Sequence, residues 1–348
     1  MVVGVAPSCS VTFRCHMRAS ELKIRMKSHL CLVPGNIVSG RVTDLHTFPV
    51  KGLRHVALPK VELKTGGGFP ADRAWAFILG RYAHQWDPKN PESMFKGEHH
   101  GTKVKFHQLI SNPEMAGLHV GYDFEEDRLK LSKLGASTTL LDVKLTDPKG
   151  VQEAEGFFAS FLVGNTNEDR ITTDARPRLV SASDGQTHQF ANVGGTKDML
   201  RLHLVNRQSV LDLARVLGQE VDPLRFRANV MVDGVEAWAE HEWVGRRVRL
   251  GSVVVEITET TIRCPATAVQ PSGRDAGIRN MNPPKVLQDA FPEARALGRD
   301  HKTMKALGGP ESMGGYLGVY AKVVEGGGIA VGDTVEVLDH CGASQGVC

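Results

Sequence analysis

The chain has 348 residues, of which 41% are apolar and 23% charged, with a formal net charge of +3. That length accommodates two domains, each with a hydrophobic core, and the composition is ordinary for a soluble globular protein. So small a charge, with no interleaved basic and aromatic patch, argues against a nucleic-acid binder. No run of about 18 apolar residues predicts a membrane-spanning helix.

Residues 1–36 read differently from the rest. Arg14, Arg18, Lys23, Arg25 and Lys27 sit among serines and small apolar residues, with Glu21 the only acid. This suits an organelle transit segment, mitochondrial among them. A disordered leader or a misplaced start codon fits the same residues, and the setting is then cytoplasmic. Either setting is intracellular and reducing, because the six cysteines include no C-x-x-C pair and five lie near the ends.

From residue 37 short alternating strands follow one another. "NIVSGRVTDLHTFPV", "HVALPKVELK", "RAWAFIL", "RLKLS" and "TTLLDVKLTD" carry the pattern to the turn "DPKG" at 147–150. "VQEAEGFFASFLVGN" (151–165) has helical spacing, with Phe157, Phe158, Phe161 and Leu162 on one face. "RPRLVSA" returns to a strand. "NRQSVLDLARVLG" predicts an amphipathic helix with Val210, Leu213, Ala214 and Leu217 as its stripe and Gly218 ending it. "RRVRLGSVVVEITET" reads as a hairpin around Gly251, and "NPPKVLQDAF" as a helix begun by prolines. "LGVYAKVVEGGGIAVGDTVEVL" holds two further strands joined at "EGGG". The predicted fold class is β-rich α+β, with a barrel-like core and a smaller β-rich companion.

Cys264, in "TTIRCPATAVQPSGRDAG", is the one cysteine away from the ends. It fills a gap in a core, or it presents a thiolate to a metal or an electrophile. Arg263 beside it favours the thiolate, although neighbouring strand residues point to opposite faces. No zincin motif, G-x-G-x-x-G or P-loop is present, so bound NAD(P) or ATP is not expected. "GEHHG" (97–101) reads as a polar loop and "DHCGASQGVC" as a frayed tail.

The segment "RCPATAVQPSGRD", followed by "GVYAKVVEGGGIAVGDTVEV", resembles the MOSC domain, the C-terminal module of molybdenum cofactor sulfurases. "DPLRFRANVMVDGVEAWAEHEWVG" is similar to the stretch that precedes the cysteine strand there. "LHTFPVKGL" and "ADRAWAF" resemble the β-barrel domain in front of MOSC in amidoxime-reducing proteins. The resemblance runs from about residue 38 to 338, with its motifs in the family's order. It implies a MOSC N-terminal barrel-like domain over 37–172, a MOSC domain over 173–338, and a flexible tail over 339–348.

It also implies a site. Cys264 corresponds to the family's molybdenum ligand, and a deprotonated thiolate is a soft, strongly donating one. The pterin of the molybdenum cofactor carries a phosphate. The resemblance places Lys51, Arg73, Ser209, Arg227 and Asn229 around it; Arg263, next to Cys264 in sequence, is counted with the cofactor-binding residues. Other readings stay open: Lys51 and Arg73 as surface charges, Arg227 paired with Asp222 or Asp233, Ser209 as a helix cap. Asn229 is a polar residue in an apolar strand and needs partners in any case.

The activity implied is reduction of small N-hydroxylated compounds, with Cys264 as the catalytic residue. Electrons come from a separate cytochrome b5-like or ferredoxin-like protein, since no haem, flavin or iron–sulfur motif is present. The alternative is a cofactor carrier or sulfur-transfer module without its own turnover. The pyridoxal-phosphate desulfurase domain of the sulfurases has no room in this chain. Two departures bear on the choice. Gly52 stands where the amidoxime reducers often have Ser, and Gln270 stands where they commonly have an acid before proline.

Overall fold

The computed structural model describes residues 39–87, 105–163, 176–182, 190, 200–291 and 315–338. The leader, the "GEHHG" loop and the C-terminal tail lie outside them. Most of the alternating runs become strands. β1 is Ser39–Thr47, and the next run divides at Pro59 into β2 (Val56–Leu58) and β3 (Lys60–Leu63). β4 (Trp75–Leu79), β6 (Arg128–Lys133), β7 (Thr139–Lys144) and β8 (Pro177–Ser181) follow the predicted runs. β5 (Leu118–Asp123) and β9 (Leu202–Asn206) carry no clear alternation, and β9 is buried at every position.

β10 is Val230–Asp233, β11 Arg247–Leu250, β12 Val253–Ile262, β13 Tyr316–Glu325, β14 Gly327–Ala330 and β15 Thr334–Val337. One eight-stranded sheet runs β10-β9-β13-β12-β11-β15-β1-β2, and β1 also pairs with β10. Seven strands therefore close into a barrel, and β2 hangs on the edge of β1. Closure removes the exposed sheet edges that an open sheet must protect. The interior is aliphatic: Leu45, Leu204, Val230, Val232, Val248, Val255, Ile257 and Val319 are at most 1% exposed. The strand that closes the barrel comes from the start of the described chain: β1 pairs antiparallel with β10 and with β15.

Gly251 makes the predicted turn with φ 59°, and β11 and β12 pair as a hairpin around it. The last run holds three strands rather than two. β14 leaves β13 after Glu325 and pairs with β3 instead. Gly327 has φ 155°, and a Cβ there would lie 2.6 Å from the Ser252 hydroxyl, so only glycine allows this turn-off.

Three helices are described. α1 (Pro148–Val163) starts earlier than its periodicity suggests, and it packs Phe158 and Leu162 against β4–β7 in a second core. α2 (Arg207–Leu217) is capped by Asn206, whose side chain accepts from Gln208 N at 3.0 Å. It ends on Gly218 in the left-handed conformation, φ 67°. α2 joins β9 to β10, which pair in parallel as a crossover connection requires. α3 (Pro283–Ala290) begins with the predicted prolines behind the Asn282 cap.

Candidate functional site

β12 runs past three irregularities in its pairing with β13 and delivers Arg263 and Cys264 just beyond its last residue. Cys264 is extended (φ −112°, ψ 167°), and the Pro265–Ala268 turn that follows returns Thr267 N and Oγ1 to the Cys264 carbonyl, at 3.1 and 2.9 Å. Those bonds fix the backbone at the cysteine. The thiol is free and half-buried, so it is not the sealed core residue of the plain reading.

Arg263, its neighbour in the chain, is buried. It is 9% exposed, donates to the Phe226 carbonyl at 2.9 Å, and lies 3.2 Å from His203 Nε2. Arginine only donates, so that nitrogen accepts and Nδ1 carries the proton, 3.5 Å from the Arg227 carbonyl. Burial, then Arg263 and Arg73, hold His203 well below the ordinary histidine range. The ring is a neutral strut between two arginine positions.

Arg73 and Arg227 both adopt positive φ, 54° and 53°, and both guanidinium groups lie against the Phe48 ring, 4.7 and 4.2 Å from its centre. Arg73 donates to the Arg227 carbonyl at 3.1 Å and pairs with Asp72. Asp72 is 1% exposed and also accepts from Phe48 N. Arg227 donates to the Leu53 carbonyl at 2.6 Å rather than to Asp222 or Asp233.

Burial first, and then the neighbouring Arg73, push Arg227 down to about 9; Asp72, Cys264 and Arg263 act on it in turn. Arg263 is lowered by burial, supported by Tyr320 and Cys264, and opposed by Arg73. A guanidinium keeps its proton near neutral pH, so both arginines stay positive in a poorly solvated setting. The three arginines act on one another; Cys264 acts on Arg227 and Arg263, and Asp72 on Arg73 and Arg227.

The other predicted residues go elsewhere. Lys51 Nζ donates to the Phe190 carbonyl at 2.8 Å, and Phe190 N donates in turn to the Arg73 carbonyl at 2.8 Å. Lys51 is thus one residue removed from Arg73. Ser209 is fully enclosed: its hydroxyl donates to Glu240 Oε2 at 2.9 Å and accepts from Trp238 N at 2.8 Å. It neither caps α2 nor faces the thiol. Asn229, also fully buried, donates to the His46 carbonyl and accepts from His203 N, both at 3.1 Å. It laces β1, β9 and β10 together where the barrel closes.

Two arginines missing from the predicted set complete the neighbourhood. Arg225 is 3% exposed and clamps the loop after the cysteine, donating to the carbonyls of Thr267 and Ala268 at 3.1 Å and to Asn280 and Gln270. Gln270 is therefore a loop anchor. Arg54 follows Leu53 and lines a narrow cleft with Arg225, Arg227 and Ala266. Gly52, two residues earlier, has φ 86°, and a Cβ there would meet Gln108 Cα at 3.0 Å. A serine would strain this turn, which accounts for the glycine.

A closed β-barrel that presents one thiol among arginines defines the class of protein. The model of the MOSC N-terminal beta barrel domain matches residues 39–175, and that of the MOSC domain matches 192–336. The chain belongs to the MOSC-domain family, which is associated with molybdenum cofactor binding in general. No curated protein matches it. Among solved structures it is similar to the YuaD protein from Bacillus subtilis, at 12% identity over 87% of this chain and 97% of that one, TM-score 0.33. YiiM from Escherichia coli is 16% identical over 40% of this chain and 54% of its own, TM-score 0.21.

The residues fit such a cofactor. Among the described residues no group of three His, Cys, Asp or Glu side chains is placed to hold a metal ion. A metal at Cys264 must bring most of its ligands with it, as a metal held by a pterin dithiolene does. The arginine surplus suits the anionic remainder.

Proposed function

We propose that the protein binds the molybdenum cofactor through Cys264 and reduces small N-hydroxylated compounds. Overall, an N–OH bond, two electrons and two protons become N–H and water. The bound cofactor supplies the two-electron redox centre; a cytochrome b5-like or ferredoxin-like donor supplies the electrons. The observation that carries this reading is the free, half-buried cysteine coupled to Arg227 and Arg263, both of which Arg73 also acts on.

In this reading the chain's residues bind and orient. Cys264 supplies the sulfur that would hold the metal, with Arg227 and Arg263 acting on it. Arg73 and Arg227, braced on Phe48, offer donors to the phosphate, with Lys51 beside them. His203 holds Arg227 and Arg263 in register through its two ring nitrogens. Arg225 keeps the loop after the cysteine closed.

A second reading, a cofactor carrier or sulfur-transfer module without turnover, is supported by Gln270. Its side-chain oxygen accepts from Arg225 and Asn280, so no acid stands at this position to handle protons. Metal analysis combined with benzamidoxime or hydroxylaminopurine reduction, using an artificial electron donor, separates the two. Near-stoichiometric molybdenum with turnover supports the reductase; molybdenum without turnover supports the carrier. Protein expressed with ample cofactor yet free of molybdenum overturns both.

A further inference from the structure

We infer that the cleft between Arg54 and the loop after Cys264 is an oxyanion pocket that recognises a carboxylate-type group on the substrate. This rests on the proposed reductase reading for the word substrate, while the anion site itself stands on geometry.

Arg54 Nη1 and Arg225 Nε are buried and have no hydrogen-bond partner, and both residues line this cleft, with Arg227 as a third. Stranded N–H groups on charged side chains are costly, so a partner is expected. No acidic side chain is among those lining the cleft. The acid acting on both Arg54 and Arg225 is Asp222. Its oxygens already accept from Leu224 N and the Ser272 hydroxyl. His55, also in the lining, adds no negative charge.

The cleft's volume is about 20 Å³, room for one water-sized oxygen. A water would satisfy the N–H groups but leave the charges unrelieved, whereas an anionic oxygen answers both. Phe48, Leu53, Leu224 and Val269 form the rest of the wall, and an apolar surround strengthens that attraction. Ala266 and Pro271 belong to the loop that starts at the cysteine, so an anion seated here lies beside the thiol's own loop. The space admits the oxygen end of a group, not a ring, which suits a substrate whose reacting N–OH and whose anionic end are separate.

Two measurements test this. In holoprotein, kcat/KM is compared for benzamidoxime and its 4-carboxy derivative. Wild type is expected to favour the carboxylate. Arg54→Gln should reduce that preference at least about tenfold, the scale of one charge-assisted hydrogen bond, and Arg54→Lys should restore part of it. An unchanged ratio in Arg54→Gln, or no preference in wild type, overturns the inference.

Separately, formate at constant ionic strength should raise the melting temperature of wild type and of Cys264→Ser, but not of Arg54→Gln. A shift that survives in Arg54→Gln means formate binds elsewhere, no shift in wild type means the cleft holds at most a structural water, and in either case the inference fails. This readout needs neither metal nor turnover. A protein that binds formate through Arg54 yet holds no molybdenum removes the proposed function while the anion pocket stands.

Discussion

Two buried charged centres lie on neighbouring parts of the barrel, and they are built to opposite ends. At Cys264, a half-buried cysteine, three arginines act on one another, and Asp72 answers only Arg73 and Arg227. At Glu240, a single carboxylate is fully enclosed, with Oε2 accepting from Ser209 and Asn206 and Oε1 unpartnered. Burial pushes Glu240 up to about 7, against the pull of its own backbone N–H, Ser209 and Asn206. A proton cures the second centre without any ligand. No proton cures the first, because arginines cannot give theirs up; it needs an anion. The contrast separates charge held for a ligand from charge held as scaffolding.

The sharpest way to break that contrast is Cys264→Ser. Retained molybdenum should fall more than ~100-fold in affinity, beyond the 10–100-fold typical of outer-sphere changes; metal analysis of the purified variant checks it. Molybdenum content equal to wild type would move the metal away from this sulfur.

Glu240→Gln tests the other centre through pH. The carboxyl titrates near 4.5 unfolded and about 7 folded. Between those values the unfolded chain has released the proton while the folded chain keeps it, so this group's contribution to stability falls as pH rises. It is fully retained below about 4.5 and lost above about 7, a change on the order of 3 kcal/mol. Denaturant melts at pH 5 and pH 8 should show the slope in wild type and not in the variant.

Arg227→Met removes one cation braced on Phe48. Cofactor retention should weaken about 10–100-fold, the worth of a charge-assisted hydrogen bond, measured by release of the pterin during dialysis. Ser209→Ala should be the smallest: about 1 kcal/mol of stability lost in a denaturant melt, with molybdenum content held. If metal falls instead, Ser209 returns to the cofactor site.

Local chemistry made much of this legible in advance. Gly218 ends α2, the prolines open α3, and alternation found the amphipathic strands, because each depends on neighbours in sequence. β9 escaped because it is apolar or buried throughout and lacks an alternating face. Asn229 stood out as a polar residue in an apolar strand, but its partners on β1 and β9 come from distant parts of the chain. Ser209 looked available because Glu240, which claims it, lies in a stretch that reads as a polar turn. Arg54 resembled any loop arginine; its place in the same segment as Lys51 and Gly52 was the one signal.

The barrel's first stave and its last are neighbours. β1 spans residues 39–47 and is held by residues 230–233 on one side and 334–336 on the other. A nascent chain leaving the ribosome must keep that opening strand waiting until almost all the rest has been made, and such distant pairing makes for slow folding. For the same reason the stretch from 192 onward, expressed by itself, would have two raw edges where a seam should be.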